Sequence, residues 1–408
     1  MRDKNSVTDR FSEALLSALR SDTPGADNRI HFNNAGCGLI AVPVLAAVED
    51  HLELEAQIGG YEASALRTEA IRGFYDEVGA LIGSAPDNIA FASSATHAYS
   101  TALSAVPFER GDVILTTRND FISNQIAFLS LRKRLGVRIE HAPDAPEGGV
   151  DVEAMAGLMR KLRPRLVAAT HVPTNSGLVQ DVAAIGRHAR ELDLLYLVDA
   201  CQSVGQLPVD VSEIGCDFLT STCRKFLRGP RGTGFLYVSD RVLQSGMEPL
   251  FIDMYGARWS SPDAYTPMAT AARFEDWEFS YATLLGSAAA ARYARGIGID
   301  KISRRTTMLG QVLRDGLSRI PGVRTLDHGT TRCALVTAGI DGWEPAAFKQ
   351  ALDAAGINSA LSFREFAQYD FGDKQVDWCI RFSPHYYNTL DEVEKVTGVV
   401  GELAGSAK

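Results

Sequence analysis

The chain has no Cys-x-x-Cys pair and no histidine spaced to complete a zinc site. Its six cysteines, Cys37, Cys201, Cys216, Cys223, Cys333 and Cys379, are scattered over 408 residues. That usage suggests neither a metal site nor a disulfide framework. Each cysteine reads as a small buried hydrophobe, and a reducing, cytoplasmic setting fits best. No apolar run approaches the length of a membrane span. The opening Met1-Arg2-Asp3-Lys4-Asn5 leads into an amphipathic stretch with Phe11, Leu15, Leu16 and Leu19 on one side, so the uninterrupted apolar core of a secretory signal is missing too. Positive charge is in deficit: a net charge of −9 and a pI near 5.5 leave no basic stripe for the phosphates of a nucleic acid. Internal repeats and low-complexity tracts are absent. Small molecules remain as the expected ligands.

What is present is an ordinary globular composition, 46% hydrophobic and 22% charged, in a chain long enough for two or three domains. Short apolar strands are readable at 89–91, 113–116, 138–141, 166–170, 195–198, 218–220 and 235–238, with helical stretches such as 182–192 between them. This alternation predicts an α/β fold, a mostly parallel, mixed sheet with helices on both faces. Upstream, Pro43 opens one helix and the spacing of Leu66, Ala70, Phe74, Val78 and Leu81 predicts another over 63–81. Near residue 300 the pattern changes to a helix over 302–318, β-rich pieces at 323–326, 333–336 and 379–382, and a closing helix over 390–403. The expected division is an N-terminal segment, 1–60, packing on both domains; a large domain, 61–295; and a smaller α+β domain, 296–408.

The chemistry-bearing residues fall at the ends of strands. Asp199 closes the apolar run Leu194-Leu195-Tyr196-Leu197-Val198, and Lys225 follows Cys216-Asp217-Phe218-Leu219-Thr220 just before the glycine-rich Gly229-Pro230-Arg231-Gly232-Thr233-Gly234. Open α/β sheets bind ligands at the carboxyl ends of their strands. An aspartate and a lysine in that order suit pyridoxal phosphate: the carboxylate keeps the pyridine nitrogen protonated, and the amine carries the cofactor and moves protons. Ser93-Ser94-Ala95-Thr96-His97 offers hydroxyls and free amides at the start of a helix, a setting for a phosphate.

Taken together, the chain from about 32 to 389 resembles the class V pyridoxal-phosphate enzymes of fold type I, the superfamily of cysteine desulfurases, kynureninase, isopenicillin N epimerase and cysteine-conjugate C–S lyases. The resemblance implies that Lys225 is the catalytic lysine that binds the cofactor covalently. Asp199 would partner the pyridinium nitrogen and Gln202 donate to the phenolic oxygen. Ala95, Thr96, Thr222 and Arg224 would hold the phosphate, and Phe121, in Asn119-Asp120-Phe121-Ile122-Ser123-Asn124, would stack on the ring. In His171-Val172-Pro173-Thr174-Asn175-Ser176-Gly177 relatives often place asparagine where Thr174 stands, so the residue facing the phenolic oxygen is Thr174 or Asn175; Asn175 is the candidate taken. Arg381-Phe382-Ser383-Pro384-His385-Tyr386-Tyr387-Asn388-Thr389 resembles the motif whose arginine binds a substrate α-carboxylate. Asn34 and Tyr61, in Gly59-Gly60-Tyr61, are further candidate substrate contacts. The family also implies a homodimer with sites at the subunit interface.

Two departures from the family pattern bear on the reaction. The stretch 359–377, where desulfurases carry a mobile catalytic cysteine, has none. Phe274-Glu275-Asp276-Trp277-Glu278-Phe279-Ser280 replaces the stretch in which many relatives present a threonine to the partner's phosphate site. The details resemble C–S lyases such as hercynylcysteine sulfoxide lyase, which implies β-elimination from an S-substituted cysteine to a thiol or sulfenate, pyruvate and ammonia. Decarboxylation-dependent oxidative deamination, epimerisation, transamination, desulfuration and a non-catalytic regulatory role remain the alternatives.

Overall fold

The computed structural model describes residues 11–406, so the opening residues 1–5 discussed above lie outside the described part. Seven strands, labelled β1 to β7 in chain order, form the central sheet: β1 Ile89–Ala92, β2 Val113–Thr116, β3 Arg138–His141, β4 Leu166–Thr170, β5 Leu195–Asp199, β6 Phe218–Thr222 and β7 Gly234–Val238. Their order is β1-β7-β6-β5-β4-β2-β3. Only β7 runs antiparallel to its neighbours; every other pair is parallel. One rim therefore collects the carboxyl ends of six strands and the amino end of β7.

Side chains alternate across this sheet as its two-residue period requires. Leu115, Val167, Ala169, Val198 and Leu219 enter one apolar cluster, while Ile114, Leu166, Ala168, Leu197 and Phe218 enter the other. Burial on both faces explains the nearly continuous apolar runs. A second sheet, antiparallel, orders Val323–Thr325, Val336–Ile340, Trp378–Phe382 and Ala360–Phe363. It shares a core with the helices Ile299–Leu317 and Leu390–Gly405. The N-terminal strand Ile30–His31 pairs with Ile357–Asn358, whereas the helix Val42–Ile58 lies against the helix Tyr281–Ile297.

Three local expectations change. The helix read over 63–81 is two helices, Gly60–Leu66 and Thr68–Ile82, because Arg67 leaves the helical region at φ −102°, ψ 13°. The Thr68 hydroxyl bonds back to Ala65 O at 2.8 Å, a local bond that competes with the helical ladder. The piece read as a strand from Cys333 begins only at Val336. Its first residues are tied elsewhere, Cys333 N–H to Gly177 O and Ala334 N–H to Gln206 Oε1. Finally, the turn between the long helices Tyr281–Ile297 and Ile299–Leu317 falls at Gly298, three residues beyond the expected boundary.

Candidate active site

The strand-end rim encloses a cavity of about 320 Å³ lined by Ser93, Ser94, Ala95, Thr96, Phe121, Asn124, Asp199, Cys201, Thr222, Arg224, Lys225, Arg231, Gly232 and Thr233. Seven of the nine residues expected at a cofactor are on this wall. Ala95 and Thr96 begin the helix Ala95–Ala105, capped by Ser94, whose hydroxyl accepts from His97 N–H at 3.1 Å. That helix start aims unpaired amides at the cavity. A Cβ on Gly234 would stand 2.9 Å from Ala95 N and 2.6 Å from Ser221 O, so only glycine lets β7 pass this close to the helix start.

Lys225 sits on the turn after β6 and is buried, with its Nζ 5.9 Å from the centre of the Phe121 ring. Gly38 crosses directly above it: its N–H bonds to Arg224 O at 2.8 Å, and a Cβ there would lie 2.5 Å from Lys225 O. Burial lowers the pKa of the Lys225 amine, with Arg224 and Arg381 adding to the effect against Cys201 and Asp199. A desolvated amine of this kind is available as nucleophile and base. Asp199 is fixed by Cys201 N–H on Oδ1 at 2.9 Å and by Asn124 Nδ2 on Oδ2 at 3.1 Å. Among the described residues it is the only acid on the cavity wall, which carries three cationic side chains, Arg224, Arg231 and Lys225. Burial, and then Arg231, pushes Arg224 down, the mark of cations gathered without a matching anion.

Next to this cavity Arg381 is buried with no carboxylate in salt-bridge reach among the described residues. Its Nη1 donates to Thr174 O and Oγ1 at 3.0 and 2.8 Å, its Nη2 to Asn33 Oδ1 at 3.4 Å, and its Nε has no partner. Burial pushes its pKa down to about 10. A buried fork without a counter-ion is built to take a carboxylate. Gln202, expected to donate to the phenolic oxygen, stands off the cavity wall and spends both amide hydrogens inside the protein, on Ala35 O at 3.1 Å and Thr174 Oγ1 at 2.9 Å, leaving its Oε1 without a partner.

Three expected contacts are elsewhere. Asn175 turns to the C-terminal sheet, where its Oδ1 accepts from Ser362 Oγ at 2.7 Å and its Nδ2 donates to Phe366 O at 3.5 Å. Thr174 is the residue that meets Gln202 and Arg381; its oxygen accepts from both, so its own proton is left to donate. Asn34 is a joint of the fold: its Nδ2 donates to His31 O and Ser383 O, its Oδ1 accepts from Tyr387 Oη at 2.7 Å, and nothing is left for a ligand. Its neighbour Asn33 faces Arg381 instead. Tyr61 lies on the short helix Gly60–Leu66, 72% exposed and off the cavity. Sequence reasoning missed Asn124, Cys201, Arg231 and Thr233. Asn124 stands one helical turn beyond Phe121, a spacing that could have pointed to it.

The family model for aminotransferase class-V matches residues 30–396. A protein of Methanothermobacter thermautotrophicus described as "Probable cysteine desulfurase" is 30% identical over 95% of this chain and 98% of its own length. A Mycobacterium tuberculosis protein described as "Probable hercynylcysteine sulfoxide lyase" is 27% identical over 90% of this chain and 88% of its own. Among solved structures, the apo cysteine desulfurase from Thermococcus onnurineus superposes with a TM-score of 0.88 at 26% identity, covering 95% of this chain and 98% of that one. The chain belongs to the class-V aminotransferase family. Its cofactor is pyridoxal phosphate, and the cavity fits that group: two arginines, Arg224 and Arg231, and a helix start suit a phosphate dianion, a single buried carboxylate suits a pyridinium, and the desolvated Lys225 amine stands on the same wall.

Proposed function

We propose that this chain is a pyridoxal-phosphate-dependent C–S β-lyase that cleaves an S-substituted cysteine to a thiol or sulfenate, pyruvate and ammonia. Ala95, Thr96, Thr222 and Arg224, with Arg231 beside them, hold the phosphate; Phe121 covers the ring; Asp199 accepts from the ring nitrogen; Thr174, oriented by Gln202, faces the phenolic oxygen. Bound there, the cofactor supplies a sink for the electron pair released at the substrate α-carbon. Arg381 clamps the α-carboxylate and so presents the α-hydrogen to Lys225. Lys225 takes that proton, and the C–S bond at the β-carbon breaks with its pair leaving on sulfur. The released aminoacrylate hydrolyses to pyruvate and ammonia.

The observation that carries this reading against desulfuration is the state of the thiols. The stretch 359–377 holds no cysteine and is folded, its helix Gln368–Lys374 docked on the large sheet through Arg118 and Asp373 at 2.7 Å. Burial pushes the buried thiols Cys223 and Cys379 up to about 11 and about 12, and desolvation with Asp199 pushes the half-buried Cys201 well up. Thiols held protonated are poor sulfur acceptors. Desulfuration is the second reading, favoured by the 30% identity to a protein described as a cysteine desulfurase. Mass spectrometry of the products from free cysteine and from a panel of S-substituted cysteines separates the two. Pyruvate with the intact S-substituent as thiol or sulfenate is expected; alanine with a persulfide on the protein would overturn the lyase reading.

We also propose that the enzyme is a homodimer. Val42, Leu45 and Leu52 on the helix Val42–Ile58, with Tyr61 and Leu66 on the next, leave a run of apolar side chains exposed, which supports an interface there.

A further inference from the structure

Between β2 and the helix Ile122–Leu135 lies a second buried carboxylate, Asp120, which has no cationic partner among the described residues. Five donors converge on it. Oδ2 accepts from Thr116 Oγ1 at 2.8 Å and Gln125 Nε2 at 3.2 Å; Oδ1 accepts from Phe121 N–H at 2.7 Å, Thr170 Oγ1 at 2.5 Å and Asn124 Nδ2 at 3.0 Å. Burial and Asp199 push its pKa upward, while the donors oppose this by stabilising the anion. Asn124, 3% exposed, gives the other hydrogen of the same amide to Asp199 Oδ2 at 3.1 Å. One amide group thus spans two buried carboxylates.

We propose that Asn124 and Asp120 are positioning residues for Asp199: the amide aims the Asp199 carboxylate at the cofactor's ring nitrogen, and Asp120 fixes the amide while adding a second negative charge that favours a proton on that nitrogen. This rests on the reading of Asp199 as the partner of the ring nitrogen. With Asp120 in place the amide cannot turn over, since its oxygen would then face two carboxylates. Asp199 takes one N–H donor on each oxygen, with the Cys201 thiol against it as well, and a carboxylate keeps acceptor capacity for a ring nitrogen beyond these. Lys225 and Cys201 share the cavity wall with Asp199 and interact with it, and the buried Tyr99 phenol is pushed up by burial and then by both carboxylates. No other charged group intervenes between the two acids in this bond chain.

The test is the nitrogen NMR shift of ring-labelled pyridoxal phosphate bound to the full protein at neutral pH. Asp199→Asn, Asn124→Leu, Asn124→Ser and Asp120→Asn are compared with the parent, with circular dichroism as the check on folding. Asn124→Leu and Asp120→Asn are expected to move the signal toward the unprotonated nitrogen, and kcat is expected to fall on the order of ten-fold or more with KM nearly unchanged. Asn124→Ser, with a single hydroxyl hydrogen, cannot bridge both acids and answers the question if either of the others fails to fold. An unmoved signal in the Asn124 and Asp120 variants, with Asp199→Asn displaced, overturns this inference alone. An unmoved signal in Asp199→Asn overturns the reading of Asp199 beneath it.

Discussion

Among the described residues neither Lys225 nor Arg381 forms a salt bridge, and both are buried, yet desolvation acts on them differently. Burial lowers the Lys225 pKa and so makes its amine easier to deprotonate. A guanidinium stays charged, so Arg381 waits for an anion. Lys225→Ala is expected to keep the fold and bind the cofactor reversibly, while peptide mass spectrometry after borohydride finds no cofactor on residue 225; a cofactor-bearing peptide elsewhere in the variant would show that the covalent lysine had been misassigned. For Arg381→Ala the loss in kcat/KM is expected to be on the order of 2–5 kcal/mol, with most of it in KM, and Arg381→Lys should recover little because a point charge does not reproduce the fork. Steady-state kinetics on an active cysteine conjugate decide it. Glu275 is a buried acid without a cationic partner among the described residues, accepting from Phe91 N–H at 2.7 Å and Tyr75 Oη at 3.0 Å, with burial raising it to about 8. The folded protein therefore binds a proton there that the unfolded chain, near 4.5, has released, so stability falls as pH rises between these values. Thermal melts from pH 5 to 8 should slope downward, and Glu275→Gln should flatten that slope; an equal slope in the variant removes Glu275 as its cause.

At the scale of elements, the folding of 359–377 has the largest consequence for the site. Arg118 forks onto both oxygens of Asp373 at 2.8 and 2.7 Å, its guanidinium lies 5.1 Å from the Tyr369 ring, and that ring packs on His141 at 4.5 Å. The contacts tie the helix Gln368–Lys374 to the loop between β2 and Phe121 and to the end of β3. Arg118 and Asp373 are partly exposed, so their pair is worth only about 0–1 kcal/mol globally. Asp373→Asn should therefore leave the melting temperature nearly unchanged while amide exchange quickens across 364–376; unaltered exchange there would mean that the helix is held by its apolar side alone. None of this was legible in the sequence, because Arg118 and Asp373 lie 255 residues apart and only folding joins them. The seven strands were legible, since burial on both faces makes each an apolar run. That Lys225, Asp199 and the Ala95-Thr96 turn would meet at one cavity was legible because strand ends carry them in chain order. Thr174 over Asn175 and Asn33 over Asn34 were not, as adjacent residues of like chemistry are told apart only by which way the chain turns.

On the scale of the whole molecule, the exposed apolar residues of the N-terminal helices raise the question of what covers them. Val42, Leu45 and Leu52 share one face of the helix Val42–Ile58, whose other side packs on the helix Tyr281–Ile297, and Tyr61 and Leu66 continue beyond it. A stable interface needs roughly 1,200–2,000 Å² of buried surface, more than these five side chains supply, so the loop carrying Leu250, Phe251 and Met254, likewise exposed, is a natural further contributor. Sedimentation velocity is expected to give a species of twice the 44.1 kDa chain mass. Leu45→Glu with Leu52→Glu places two charges on the shared face and should shift the population toward monomer, with turnover falling in step with dimer content if sites lie at the interface. A parent enzyme that sediments as a fully active monomer would reject the homodimer and leave the exposed face to another partner. Dissociation with undiminished turnover would keep the dimer but confine each site to a single chain, as the cavity lined by residues 93 to 233 is within this one.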